Sequence, residues 1–209
     1  MQHYLYASSY AVYGNTGPAC LSESDSSQNA KSPYAAAKLE EEIATAAWCQ
    51  IHGISATALR LFNVYGAGGR PGTMPMFFAE KMTQCQPLPL FQNGEVQRDF
   101  VHVDDVAEAI LRLIPSFTTR SVGSFHRIFN IGSGVGTPIR TFVELLAANL
   151  GQACIVESKP LPPTEPLVTY ANIAHLQDAL AWKPEIPLSD GLVNFANWYR
   201  NCCAQSIKE

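Results

Sequence analysis

The chain has 209 residues, 14 lysines and arginines against 18 aspartates and glutamates, a net charge of −4, and 47% apolar residues. That composition is long enough for one full core with a small appended lobe, and it excludes a disordered or fibrous chain. Without a basic run, an apolar stretch of roughly 18 residues or a secretory leader, the expectation is a cytoplasmic protein with no nucleic-acid or membrane partner.

Read in chain order, HYLYASS (3–9) is a short apolar run ending in small hydroxyl residues, as suits a buried strand that delivers its end to a site. Residues 14–31 are rich in Gly, Ser, Asn and Asp and read as a loop. Ser32-Pro33 then opens a helix, with serine as the cap and proline at the first position, and Gly53 closes it. SATALRLFNVYG (55–66) reads as one apolar strand. Strand, loop, helix and strand together make a βαβ unit of a parallel sheet.

The second part is more broken. GAGGRPGTMP is a Gly/Pro-rich loop and MFFAEKMTQC a short amphipathic helix. PLPLFQNGEVQRDFVHV holds Asn93-Gly94 between two extended runs, a hairpin signal. DDVAEAILRLI is a helix whose Asp104 serves as a plain cap. SFTTRSVGS is a loop, RIFNIGSG a strand, and Thr137-Pro138 opens a helix that Gly151 ends. ACIVES is a strand, PLPPTEPL a rigid linker, and NIAHLQDAL and SDGLVNFANWYRN are the last two helices. The six cysteines form no CxxC pair and no zinc-like spacing with histidine, so reduced thiols and no metal are expected.

Tyr34 and Lys38 stand four residues apart and therefore share a helix face. A phenol is a poor base at neutral pH, with an ordinary value near 10, and a neighbouring ammonium favours the phenolate. Such a pair can take a proton from a sugar or alcohol hydroxyl. Ser9, at a strand end, could donate to the same oxygen. A YxxxK pair alone arises by chance in about one such chain in five, so the surroundings must carry the argument.

Those surroundings are ASSYAVYG, SPYAAAK, RLFNVYGAGGRP, QRDFVHVDDVAEAI and FNIGSG, in that order. In order and spacing they resemble the extended short-chain dehydrogenase/reductases, the NAD-dependent sugar-nucleotide epimerases and dehydratases, and most of all the UDP-glucuronate 4-epimerases. The resemblance implies an α/β fold: a truncated Rossmann-type parallel sheet plus a small mixed α/β substrate-binding lobe. Residues 1–66 would be the remnant of the dinucleotide-binding domain, and 67–209 mostly the substrate lobe, with 95–135 partly returning to the sheet. It implies Ser9, Tyr34 and Lys38 as catalytic residues. Tyr34, Lys38 and Phe62 would meet NAD. Ser9, Asn63, Arg70 and Arg98 would meet a UDP-sugar, with Asn63 on the diphosphate side, Arg70 near the sugar and Arg98 on the nucleotide.

Departures narrow the reaction. Tyr10 and Ala11 stand where a dehydratase of this superfamily carries an acid pair, and Ala11 where a UDP-glucuronate decarboxylase carries glutamate. A 4-epimerase asks least of the site: proton to Tyr34, hydride to NAD, rotation of the 4-keto sugar and return. Ala11 lacks a hydroxyl that some epimerases place there. Asn63 replaces the threonine associated with glucuronate epimerases, and Pro163-Thr164-Glu165 replaces a Pro-Gly-Asp. The sugar stays open, as does NADPH-dependent reduction of a 4-keto sugar.

The resemblance also implies a GxxGxxG loop ahead of all this, and GAGGRPG (66–72) reads instead as a substrate-side loop. The chain is therefore expected to be an incomplete epimerase whose first strand has an open edge, so that it self-associates or pairs with a separate N-terminal half. A catalytically inactive sugar-nucleotide-binding remnant and an interaction module remain as alternatives.

Overall fold

The computed structural model describes residues 3–14, 19–25, 30–115, 125–163 and 165–202. Its first sheet is parallel and three-stranded, in the order β1 (His3–Ser9), β3 (Ser55–Leu61), β7 (His126–Ile131), with Ser9 opposite Leu61 and Leu61 opposite Ile131. Among the described residues β1 is an edge, paired only with β3.

Helix α1 (Pro33–His52) crosses from β1 to β3 as the sequence predicts. The Ser32 side chain accepts from Ala35 N at 3.1 Å, Pro33 is the first helical residue, and Gly53 ends the helix in the left-handed region at φ 64°. Only Ala35, Glu42 and Cys49 of α1 are buried, a stripe every seven residues that rests on the sheet. Ile43, Trp48 and Ile51 on the same helix are exposed.

SATALRLFNVYG is not one strand. It breaks at Phe62, whose N–H still bonds Ile131 O at 2.9 Å, and Val64 N turns back to Phe62 O at 2.9 Å. The chain then joins a second sheet as β4 (Asn63–Tyr65), paired in parallel with β6 (Gln97–His102). That sheet runs β2 (Cys20–Leu21), β10 (Val168–Ala171), β6, β4, with β8 (Gly136–Pro138) antiparallel to β6. The strand β2 lies inside the stretch 14–31 that reads as loop; two residues are too few to leave a periodic signal.

The Asn93-Gly94 hairpin is absent. The turn itself forms, with Asn93 at φ 57° and Gly94 at φ 88°. However, β5 (Leu88–Phe91) pairs in parallel with β9 (Val156–Lys159), while β6 enters the second sheet. Local turn chemistry sets a reversal and cannot name the strand's partner. A Cβ on Gly94 would come within 2.9 Å of Arg140 N, so this glycine answers both a positive φ and a close approach.

Helices α2 (Met74–Thr83), α4 (Ile139–Leu150) and α6 (Leu188–Cys202) enclose one core with Leu88, Leu90 and Phe100. Helix α3 (Val103–Leu113) packs Val106, Ala109 and Leu113 on Leu59, Phe129 and Ile131 of the first sheet, beside Leu176 of α5 (Ala174–Leu180). Thr137 and Pro138 lie in β8, so α4 starts at Ile139 with no side-chain cap. The cap of α3 is His102, which accepts from Asp104 N at 3.2 Å; Asp104 sits in the first turn instead of capping. The loop reading of SFTTRSVGS lies outside the described residues. Among the described residues no helix is long and apolar enough to cross a membrane, and no cluster of metal-ligating side chains occurs.

Candidate active site

Beyond the carboxyl ends of β1 and β3, where parallel sheets place their ligands, lies a cavity of about 570 Å³. Ser9, Tyr34, Lys38, Phe62, Asn63 and Arg70 all line it. Six of the seven site residues expected from the sequence thus meet in one space, drawn from β1, α1, the break at Phe62, β4 and the glycine-rich loop.

Each is held by local structure. Ser9 ends β1 and accepts from Ala11 N at 3.2 Å, which leaves its own hydroxyl proton free to be donated. Lys38 Nζ donates to Ala7 O at 2.8 Å and to Glu41 Oε2 at 2.9 Å. An ammonium has three donors, so one is left over. Tyr34, one turn earlier, is 57% exposed with its ring at the cavity mouth. Phe62 is buried and stacks on Tyr10, ring centroids 5.1 Å apart, forming an apolar floor. Asn63 Nδ2 donates to Asp99 O at 2.9 Å, and an amide nitrogen has a second N–H to give.

Arg98 is not in this cavity. It lines a neighbouring one of about 160 Å³ with Tyr10, Ala11, Lys31, Ser32 and Glu165. Its guanidinium is held within the chain, donating to Gln97 O at 2.8 Å, Pro166 O at 2.9 Å and Glu165 Oε2 at 2.9 Å. Next to it, Asp99 explains the FNIGSG motif. Its carboxylate accepts from Ser133 N at 2.6 Å, Ser133 Oγ at 2.8 Å, Gly134 N at 3.0 Å and Ala171 N at 3.0 Å. Burial pushes this carboxyl above its ordinary value, and those four bonds oppose the push.

Two contributors to the cavity went unread in the sequence. One is the start of α2: Thr73, Met74 and Pro75 line the wall, and Thr73 makes no side-chain cap bond to the helix. Threonine before a helix with proline in its first turn is a start signal that places this end two residues earlier than MFF. The other is the role of Gly72, whose φ of 81° turns the loop onto the wall.

Below the site runs a buried polar chain. Glu42 accepts from Ser8 Oγ at 2.5 Å, from Arg60 Nε at 3.0 Å and from Arg60 Nη2 at 2.7 Å. Arg60 stacks over the Tyr13 ring at 4.6 Å, and Tyr13 Oη donates to Asn130 Oδ1 at 2.7 Å. Burial raises the Tyr13 phenol to about 12, against the pull of Arg60.

A family model described as the NAD dependent epimerase/dehydratase family matches residues 1–132. UDP-glucuronate 4-epimerase 5 of Arabidopsis thaliana is 32% identical over 98% of this chain and 50% of its own length. The structure of MoeE5 in complex with UDP-glucuronic acid and NAD superposes with a TM-score of 0.84 at 27% identity, over 96% of this chain and 66% of that one. UDP-glucuronic acid 4-epimerase from Bacillus cereus, in complex with UDP-glucuronic acid and NAD, gives 0.83 at 25% identity, over 95% and 62%. The chain thus spans between half and two thirds of these relatives' length.

Proposed function

This chain belongs to the NAD dependent epimerase/dehydratase family, and on that premise we propose that its site is that of a sugar-nucleotide 4-epimerase for a UDP-hexose or UDP-hexuronate. The observation that carries this reading is the meeting of Ser9, Tyr34, Lys38, Asn63 and Arg70 around one cavity large enough for a sugar to turn in. The division into a cofactor part, residues 1–66, and a substrate part, residues 67–209, belongs to the same reading; β7 accounts for the return of 95–135 to the first sheet.

Tyr34 takes the proton of the 4-hydroxyl, and the Ser9 hydroxyl bonds the same oxygen. NAD, when bound, supplies a reversible hydride acceptor for C4. The residues fit its nicotinamide-ribose end: the spare N–H of Lys38 and the Tyr34 phenol suit ribose hydroxyls, and Phe62 offers an apolar surface to a flat ring. Asn63 meets the diphosphate side through the second N–H of its Nδ2, helped by the N–H groups at the start of α2. Arg70 pairs with a sugar carboxylate or hydroxyl. Arg98 serves the nucleotide only by giving up Glu165. Once the 4-keto sugar has turned, Tyr34 returns the proton.

The test is to incubate the chain with UDP-glucuronate and NAD and separate the epimers by chromatography, alongside calorimetric titration with NAD and with UDP-glucuronate. Turnover that is lost in Tyr34→Phe supports the reading; absence of UDP-glucuronate binding overturns it. A second reading is a sugar-nucleotide binder or interaction module without turnover, for which the exposed Ile43, Trp48 and Ile51 of α1 speak. UDP-glucuronate binding without NAD binding would favour it.

As partner we propose a second copy of the chain, joined at the β1 edge and the exposed side of α1. The support is the exposure of Ile43, Trp48 and Ile51 and, among the described residues, a β1 that pairs only with β3.

A further inference from the structure

Glu42 follows Lys38 by four residues and Tyr34 by eight, so the three stand on one face of α1 at successive turns. Unlike the other two it is buried, and both carboxylate oxygens are engaged, by Ser8 of β1 and by a two-pronged bond from Arg60 of β3. The chain neighbours of these partners belong to the cavity. Ser8 lies between Ala7, whose carbonyl holds Lys38, and Ser9. Arg60 precedes Phe62 and Asn63 by two and three residues. One carboxylate therefore ties together the helix with the proton-handling pair, the serine strand and the strand that breaks into the Asn63 wall.

The apolar part of the α1 contact is less directional. Apart from Glu42, the fully buried residues of the helix are Ala35 and Cys49, small side chains joined by the partly buried Leu39, and such contacts leave a helix some freedom in height and rotation. A bidentate carboxylate–guanidinium fork is directional and tolerates neither a slip nor a turn. A buried ion pair adds little net stability, because removing two charges from water offsets their attraction; its use is to choose one arrangement among several.

We propose that Glu42 is the positioning residue of the site, its clamp by Ser8 and Arg60 setting the height and rotation of α1 that bring Tyr34 and Lys38 to Ser9 and Asn63. This rests on the reading of Tyr34 and Lys38 as the reacting pair, and it adds the device that aims them.

The test is a triple variant, Ser8→Ala, Glu42→Met and Arg60→Met, which replaces the whole clamp by apolar side chains of similar volume. Such an exchange is often neutral for stability. The readout is the set of ring NMR signals of Tyr34, with Tyr34→Phe as the assignment control, because their chemical shifts report where the ring stands against the cavity wall. The expected result is a melting temperature close to that of the unaltered chain with displaced Tyr34 ring signals. A folded triple variant whose Tyr34 signals do not move overturns the proposal, since a merely structural pair would leave the site unchanged. Should the triple variant not fold, Ser8→Ala alone, which keeps the ion pair and cuts only the tie to β1, is read the same way and with the same two outcomes. Calorimetry with UDP-glucuronate on the unaltered chain keeps the two ideas apart. Absence of binding there removes the sugar-nucleotide reading, while the Tyr34 ring signals still decide whether Glu42 aims the helix.

Discussion

Lys38 and Ala7 are joined by a 2.8 Å hydrogen bond from the lysine ammonium to the backbone carbonyl. The bond pins a flexible side chain to the serine strand, next to Ser9, and turns a surface lysine into part of a wall. A lysine that served only α1 would be satisfied by Glu41 on its own helix, a pair worth little where water screens it.

The division of labour between Tyr34 and Lys38 gives the first prediction. On the proposed reading Tyr34→Phe removes the proton carrier and should lower epimerase turnover by roughly a hundredfold to ten-thousandfold. Because the ring is exposed, unfolding free energy should change by no more than about 0.5 kcal/mol. Lys38→Met should also lose turnover, with a small further loss of stability from the Ala7 bond. Urea unfolding beside the activity assay checks both parts.

Asp99 predicts a large effect far from any reacting atom. Asp99→Ala leaves four donors without an acceptor in a buried place and should destabilise the chain by about 3–5 kcal/mol. The loss should appear as a lower urea midpoint. An effect below about 1 kcal/mol would mean that water enters and serves those groups.

Two half-buried histidines set an acid limit. Burial lowers both His3 and His126, with Arg127 adding to the first, while Arg60 presses the second down and Glu42 partly opposes it. The unfolded chain then binds protons more readily than the folded one, so stability rises with pH across the interval. It is present in full above the unfolded value near 6.5 and lost as pH falls through the lowered folded one. In His126→Gln the drop in unfolding free energy between about pH 7.5 and about pH 5.5 should be smaller than in the unaltered chain.

Helix α1 predicts association. Ile43, Trp48 and Ile51 are 63%, 59% and 74% exposed, beside an apolar groove of about 280 Å³ lined by Tyr4, Trp48 and Ile54. Sedimentation velocity at increasing concentration should show a reversible oligomer that Trp48→Glu with Ile51→Glu converts to monomer. A monomer at every concentration counts against the proposed partner.

Much of this was legible in the sequence where the signal is local. Ser32-Pro33, Gly53 and Gly151 mark helix ends through their own backbone preferences, and the i, i+4 spacing of Tyr34 and Lys38 needs no partner to be read. The failures are long-range. Nothing near Phe62 says that the strand changes sheets there, because both halves are equally apolar. Asn93-Gly94 makes its turn, yet β5 finds its partner at Val156–Lys159, far along the chain. The bond from Arg98 to Glu165 spans 67 residues, so no motif around either could show that the arginine is already engaged. Glu42 looked like one more helical glutamate until Arg60 lay beneath it.

The break at Phe62 has a last consequence, for tolerance. Leu61 lies in the first sheet opposite Ile131, and Asn63 in the second opposite Phe100. The strand that pairs with Ser9 and the strand that carries Asn63 are thus joined through Phe62 alone, by two peptide units of about 3.8 Å from one Cα to the next. At this point the two sheets cannot separate by more than those two units allow, however their cores pack. Substitutions elsewhere in either core can loosen the packing without parting Leu61 from Asn63.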